Sequence, residues 1–226
     1  MCVIEIRGVS HAYGDRRVLR EIDVTLPERR IGVIGANGSG KSTFARLLNG
    51  LIVPDEGEVR VDGLDTRSDA PTIRQRVGFV FTDPDAQIVM PTVAEDVAFG
   101  LRRQKLSREE TDQVVAKQLA SFGLSEHADH PAHLLSGGQK QLLALCSVLV
   151  TDPKILVCDE PTTLLDLPNT RRVLDLLSTV SQRVVLVTHD LDAVLAYERV
   201  LVFHEGTIVF DGPPADAVDH YVSLVT

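Results

Sequence analysis

The run Gly35-Ala36-Asn37-Gly38-Ser39-Gly40-Lys41-Ser42 fits the pattern G-x-x-x-x-G-K-[ST], and few short patterns restrict a fold so tightly. It follows the apolar run Ile31-Gly32-Val33-Ile34 and precedes the helix-prone Thr43-Phe44-Ala45-Arg46-Leu47-Leu48, the strand, loop and helix that the pattern requires. Glycines let the backbone curl until successive N–H groups and the helix N-terminus point into one concavity, a setting that favours phosphate oxygens. Lys41 is placed to reach the β- and γ-phosphates of a nucleotide and Ser42 to ligate magnesium. The competing account, an ordinary glycine turn entering a helix, explains neither the lysine nor the hydroxyl.

Other apolar runs extend the α/β pattern. Ile155-Leu156-Val157-Cys158 and Val184-Val185-Leu186-Val187, like Ile31 to Ile34, lack alternation and predict central parallel strands buried on both faces. Val3 to Ile6, Val18 to Leu26 and Gly57 to Gly63 alternate and predict β-ribbons with a polar face. Between about 92 and 150 the signals are helical: Thr92 to Leu101, Ser107 to Phe122 with Glu109 and Glu110 in its first turn, and Gly137 to Val150, apolar nearly all round and so expected to be sandwiched. Val173, Leu176, Leu177 and Val180 form a single helical stripe, expected to face the sheet. Two more strands, Val200 to Phe203 and Thr207 to Phe210, precede a terminal helix from about Pro214. The expected organisation is one domain over 1–226, with a nucleotide-binding core and β subdomain at about 1–82 and 151–226 and a helical subdomain at about 83–150.

Composition narrows the partners. With 32 acidic against 23 basic residues the net charge is −9, which argues against a nucleic-acid footprint. Cys2, Cys146 and Cys158 show no C-x-x-C spacing and read as small apolar side chains in a reducing compartment. The first residues carry charge where a leader peptide needs an apolar stretch, and no run of about 18 uncharged apolar residues occurs. Any membrane work therefore needs a separate anchor.

Ile155 to Cys158 ends in Asp159-Glu160. Alternation aims the two carboxylates in different directions, so Asp159 can serve the metal while Glu160 polarises an attacking water. Leu135-Ser136-Gly137-Gly138-Gln139 opens another helix with hydroxyl, glycine backbone and helix N-terminus, the ingredients of a second anion cradle. One triphosphate does not need two cradles in the same chain.

With these motifs in this order the sequence resembles the ATP-binding cassette family over nearly its whole length. The resemblance implies a P-loop NTPase fold with a mixed, mainly parallel core sheet, an antiparallel β subdomain and a helical subdomain. It implies Mg-ATP bound by Asn37, Gly38, Ser39, Gly40, Lys41, Ser42 and Thr43, with Tyr13 stacked on adenine. Glu160, His189 and Lys41 would be catalytic, and Ser42 and Asp159 would hold the metal. Ser136, Gly137, Gly138 and Gln139 would be the signature that closes on the nucleotide of a second subunit, a homodimer being favoured over a heterodimer, with Asp166 in a loop that communicates across the dimer. One position departs: a glutamine expected after Val77 to Phe81 is Thr82, whose shorter hydroxyl would reach the metal through a water and slow turnover. Gln87 is an alternative amide five positions on. His127, His130 and His133 are spaced three apart, but Pro131 interrupts the helix that a metal face would need.

Ninety-five residues from Lys41 to Ser136 are too few for the coiled-coil insert of chromosome-maintenance relatives. The chain has one cassette, and it lacks zinc-binding cysteine sets. The segment from Phe81 to Gly100 is similar to ATPases of energy-coupling-factor importers, and Thr82 with Ile88-Val89-Met90-Pro91 is most similar to the biotin-importing group. That implies a peripheral protein on the cytoplasmic face of the membrane, beneath a membrane coupling subunit and a substrate-capture protein. Cobalt, nickel or another vitamin as cargo, a soluble cassette ATPase of iron–sulfur assembly, and a nucleotide-gated switch with negligible turnover are the alternatives.

Overall fold

The computed structural model describes residues 3–226, so Cys2 lies outside the described residues. Two compact units form, and each is built on its own core.

The first unit comprises the chain up to Phe79, Lys154–Glu160 and Ser181–Thr226. It holds two sheets. In the smaller, β1 (Ile4–Tyr13) pairs antiparallel with β2 (Arg16–Leu26) on one edge and with β4 (Glu56–Val61) on the other, and the two-residue β5 (Leu64–Asp65) completes the order β2-β1-β4-β5. Alternation holds from Ile22 to Leu26, with Ile22, Val24 and Leu26 inward and Asp23 and Thr25 in solvent. An irregularity at the exposed Arg20 and Glu21, the latter at φ 47°, resets the phase so that Leu19 is also buried. In the larger sheet the order is β10-β9-β3-β8-β7-β6, with β3 (Arg30–Gly35), β6 (Val77–Val80), β7 (Ile155–Asp159), β8 (Arg183–Val187), β9 (Arg199–His204) and β10 (Thr207–Gly212). Strands β9, β3, β8 and β7 are parallel neighbours, and every residue of β7 is buried. This is the two-faced burial that the non-alternating runs predict. Helix α1 (Lys41–Leu47) leaves β3 through the glycine loop, α2 (Ala70–Arg76) follows β5, and α7 (Pro214–Val225) ends the chain. The short α2 was not foreseen, since its buried face is Ile73 alone.

The second unit comprises Val80–Pro153 and Pro161–Val180. Its helices are α3 (Val93–Leu101), α4 (Arg108–Ser121), α5 (Gly137–Leu149) and α6 (Leu167–Thr179). Thr92, Ser107 and Ser136 each start a helix with a capping box closed by Glu95, Glu110 and Gln139. Helix α5 buries every residue from Gln141 to Cys146, which requires neighbours on all sides. The sequence division put everything after 150 back in the core, whereas α6 groups with the helical unit. Arg172 on α6 donates to the Phe122 carbonyl at 2.7 Å, and Asn169 lies on α5. Asp96 is buried inside this unit and accepts from the Val89 and Met90 amides and the Ser147 hydroxyl. No described helix is long and apolar enough to cross a membrane.

Candidate nucleotide site

The loop between β3 and α1 is shaped by close backbone approach. Gly35 has φ 147°, and a Cβ there would lie 2.2 Å from the Phe203 carbonyl oxygen on β9. Gly40, at φ 106°, passes so close to the Val18 carbonyl that a Cβ would be 2.7 Å away. Only glycine fits at both. Gly206 N donates to Ser39 O at 3.0 Å and Arg20 N donates to Gly206 O at 2.9 Å, tying the loop to the β9–β10 turn and to β2. Asn37 and Gly38 are exposed at the loop's apex, while Ser39, Lys41 and Thr43 are buried and the Ser39 hydroxyl has no hydrogen-bond partner among the described residues.

Lys41 Nζ donates to Gly35 O at 2.7 Å and Ala36 O at 2.9 Å, which leaves one of its three N–H bonds for another acceptor. Burial lowers its pKa, against the raising influence of Glu160 and Asp159. Ser42 Oγ donates to Asp159 Oδ1 at 2.8 Å, and Arg46 Nη2 lies 4.0 Å from Asp159 Oδ2. Asp159 is 1% exposed, and burial raises its pKa despite the Ser42 hydrogen bond and the Arg46 charge. A buried hydroxyl and carboxylate side by side are hard oxygen donors of the kind magnesium takes, and a cation there would remove the penalty on the ionised carboxylate.

Glu160 leaves β7 in a left-handed conformation, φ 53°, with its amide bonded to Val187 O on β8 at 2.9 Å. A non-glycine residue there carries strain of about 1–3 kcal/mol. The turn aims its carboxylate at His189, whose Nδ1 lies 2.5 Å from Glu160 Oε2 just beyond β8. Tyr13, half-exposed at the end of β1, presents its ring to His11 edge-on at 4.9 Å, and His11 Nδ1 lies 3.3 Å from Asp55 Oδ2. The first unit thus carries the Lys41 loop, Asp159, Glu160, His189 and Tyr13.

Sequence reading missed Arg16. It pairs with Tyr13 across the β1–β2 turn, and its Nη2 lies 3.6 Å from where a Cβ on Gly38 would stand. Only its place three residues after Tyr13 could have drawn notice.

In the second unit Ser136 caps α5: its Oγ accepts from Gln139 N at 3.3 Å, and Gln139 Oε1 accepts from Ser136 N at 2.9 Å. The Gln139 amide also meets His127 Nε2 at 2.9 Å, and His127 Nδ1 lies 2.9 Å from His130 Nδ1, so these histidines belong to a hydrogen-bond chain behind the cap. Asp166 caps α6. Gln87 is held at both ends, accepting from Phe81 N at 3.1 Å and donating to Ala144 O at 3.3 Å, so its carboxamide bridges the segment before Thr82 and α5.

Comparison with known proteins gives this arrangement a family. The family model described as ABC transporter matches residues 19–163. A Deinococcus radiodurans chain, 54% identical over 99% of both chains, carries only the general description of an ABC transporter ATP-binding protein. The biotin transport ATP-binding protein BioM of Rhizobium etli is 46% identical over 96% of this chain and 97% of its own. The energy-coupling factor transporter ATP-binding protein EcfA1 of Symbiobacterium thermophilum is 44% identical over 94% of this chain and 80% of its own. Among solved structures, cbiO1 of Clostridium perfringens, part of the ABC transporter complex cbiONQ, superposes with a TM-score of 0.83 at 31% identity, covering 98% of this chain and 94% of that one. The chain belongs to the ABC transporter family, as one of its ATP-binding ATPases.

Proposed function

We propose that this ATPase drives an importer of the energy-coupling-factor type from the cytoplasmic face of the membrane, and that its cargo is a micronutrient, biotin in the first instance. The pairing of Glu160 with His189 beside the Lys41 loop carries the catalytic part of the reading. Full-length similarity to BioM and EcfA1 supports the transport part.

Each residue has a task. Tyr13 stacks on the base, and the loop amides of Asn37 to Thr43 with the remaining Lys41 N–H hold the phosphates. Arg16 adds a guanidinium beside Gly38. Ser42 and Asp159 would hold magnesium, which when bound neutralises charge on the triphosphate. Glu160 takes the proton of the attacking water, and His189 holds the Glu160 carboxylate in place and contacts the terminal phosphate. The Gly137 and Gly138 amides, first in α5 and without intrahelical acceptors, would close on the nucleotide of a second copy, beside Ser136 and Gln139. Asp166 relays between the copies. Closure of that homodimer would be passed to a membrane coupling subunit and a substrate-capture protein.

The test is biotin uptake by cells that depend on this chain and its co-purifying membrane proteins. Uptake that fails on Glu160→Gln substitution supports the reading. Normal biotin uptake with loss of cobalt or nickel uptake would reassign the cargo, and co-purification with no membrane protein would favour a soluble cassette ATPase.

A further inference from the structure

We infer that Asn169 is a positioning residue that locks Gly138, in the signature turn, to Asp166 in the loop before α6, so that the two segments move as one piece. The inference rests on reading Ser136 to Gln139 as the signature, and it adds an internal link that the reading does not contain.

Asp166 Oδ1 accepts two hydrogen bonds from the same residue, from Asn169 N at 3.0 Å and from Asn169 Nδ2 at 2.7 Å. The first is the helix cap; the second orients the Asn169 carboxamide. The amide so held lies on the first turn of α5. A Cβ on Gly138 would stand 2.3 Å from Asn169 Cγ, 2.4 Å from Oδ1 and 2.6 Å from Nδ2, distances that non-bonded atoms do not tolerate. A Cβ on the adjacent Gly137 would meet nothing within 4 Å. Neither glycine has a positive φ, so backbone freedom explains neither. Of the two, only Gly138 is denied a side chain by its own polypeptide, and Asn169 is what denies it.

The mechanical consequence follows from close packing. A shift of Asp166 caused by a neighbouring copy carries the Asn169 amide with it and presses on Gly138, so the communicating loop and the clasping turn respond together.

A double-mutant cycle on the full chain, in complex with its membrane partners, decides the matter. Gly138→Ala is expected to lower kcat for ATP by roughly tenfold or more, since displacements of about 1 Å suffice for such losses. KM is expected to hold, because the Lys41 loop is untouched. Adding Asn169→Ala, which deletes all three clashing atoms and keeps the backbone cap, is expected to restore kcat to the level of Asn169→Ala alone. The same addition should not rescue a slow Gly137→Ala. If Gly138→Ala does not fold, soluble yield and the thermal midpoint replace turnover, with the same rescue expected. A double variant as impaired as Gly138→Ala, beside a Ser136→Ala variant that has lost turnover, overturns the inference and leaves the signature reading standing. Ser136→Ala turning over at the parental rate removes the signature reading and the inference with it.

Discussion

His189 Nδ1 and Glu160 Oε2 lie 2.5 Å apart, one group from the turn after β7 and the other from the turn after its parallel neighbour β8. Parallel pairing puts both strand ends on the same side of the sheet, and the left-handed turn at Glu160 aims its carboxylate along that edge. Glu160→Gln keeps the shape and removes the base, so turnover is expected to fall about a hundredfold or more with little change in ATP affinity. His189→Ala leaves the carboxylate but removes the imidazole that orients it. A smaller loss, about tenfold, is expected in the same phosphate-release assay.

Asp159 should trade stability against activity. Its folded-state pKa is raised, chiefly by burial, so the native state binds a proton more readily than the unfolded chain. Its contribution to stability is then present below the ordinary carboxylate range and is lost as pH rises through the raised value. At neutral pH, without magnesium or nucleotide, Asp159→Asn is expected to stabilise the fold by about 1 kcal/mol, a rise in Tm of about 2–4 °C. ATPase activity should be abolished. Thermal melts across pH, with and without Mg-ATP, check both signs.

Much of this site was legible because its residues are local in sequence. The Gly35–Ser42 loop, the strand ending in Asp159 and Glu160, and the Ser136 cap each announce themselves through a short pattern with a physical demand on the backbone. The layout of the sheets was equally open, since burial on two faces erases alternation and burial on one preserves it. What escaped depended on neighbours remote in the chain. A single apolar stripe on α6 tells that one face is covered but not by what, so the expectation that it faces the sheet did not anticipate the grouping of α6 with the helical unit. Arg16 and Asn169 belong to no pattern; each is picked out through one glycine that folding brings near it.

Turnover should be limited in part by Thr82. Gln87 is held through one bond at each end of its carboxamide, by Phe81 N and Ala144 O, so moving it to a metal would break both and leave Thr82 as the side chain after β6. Thr82→Gln is expected to raise kcat severalfold, about 1 kcal/mol of barrier. A variant no faster than the parent would mean that the threonine does not limit the chemistry.

The described cysteines should be inert. Burial pushes the Cys146 thiol up to about 12 and the Cys158 thiol higher still, and both are enclosed. Native protein treated with iodoacetamide at pH 8 should show neither labelled by peptide mass spectrometry. Both should label once denaturant unfolds the chain.

The central claim is that ATP is clasped between the Lys41 loop of one copy and the Ser136 turn of another. The solution mass of Glu160→Gln by light scattering tests it most directly. With saturating Mg-ATP the account predicts a dimer, which reverts to monomer when ADP replaces ATP and does not form when Ser136→Arg is added. A single unchanging mass under all three conditions would contradict it.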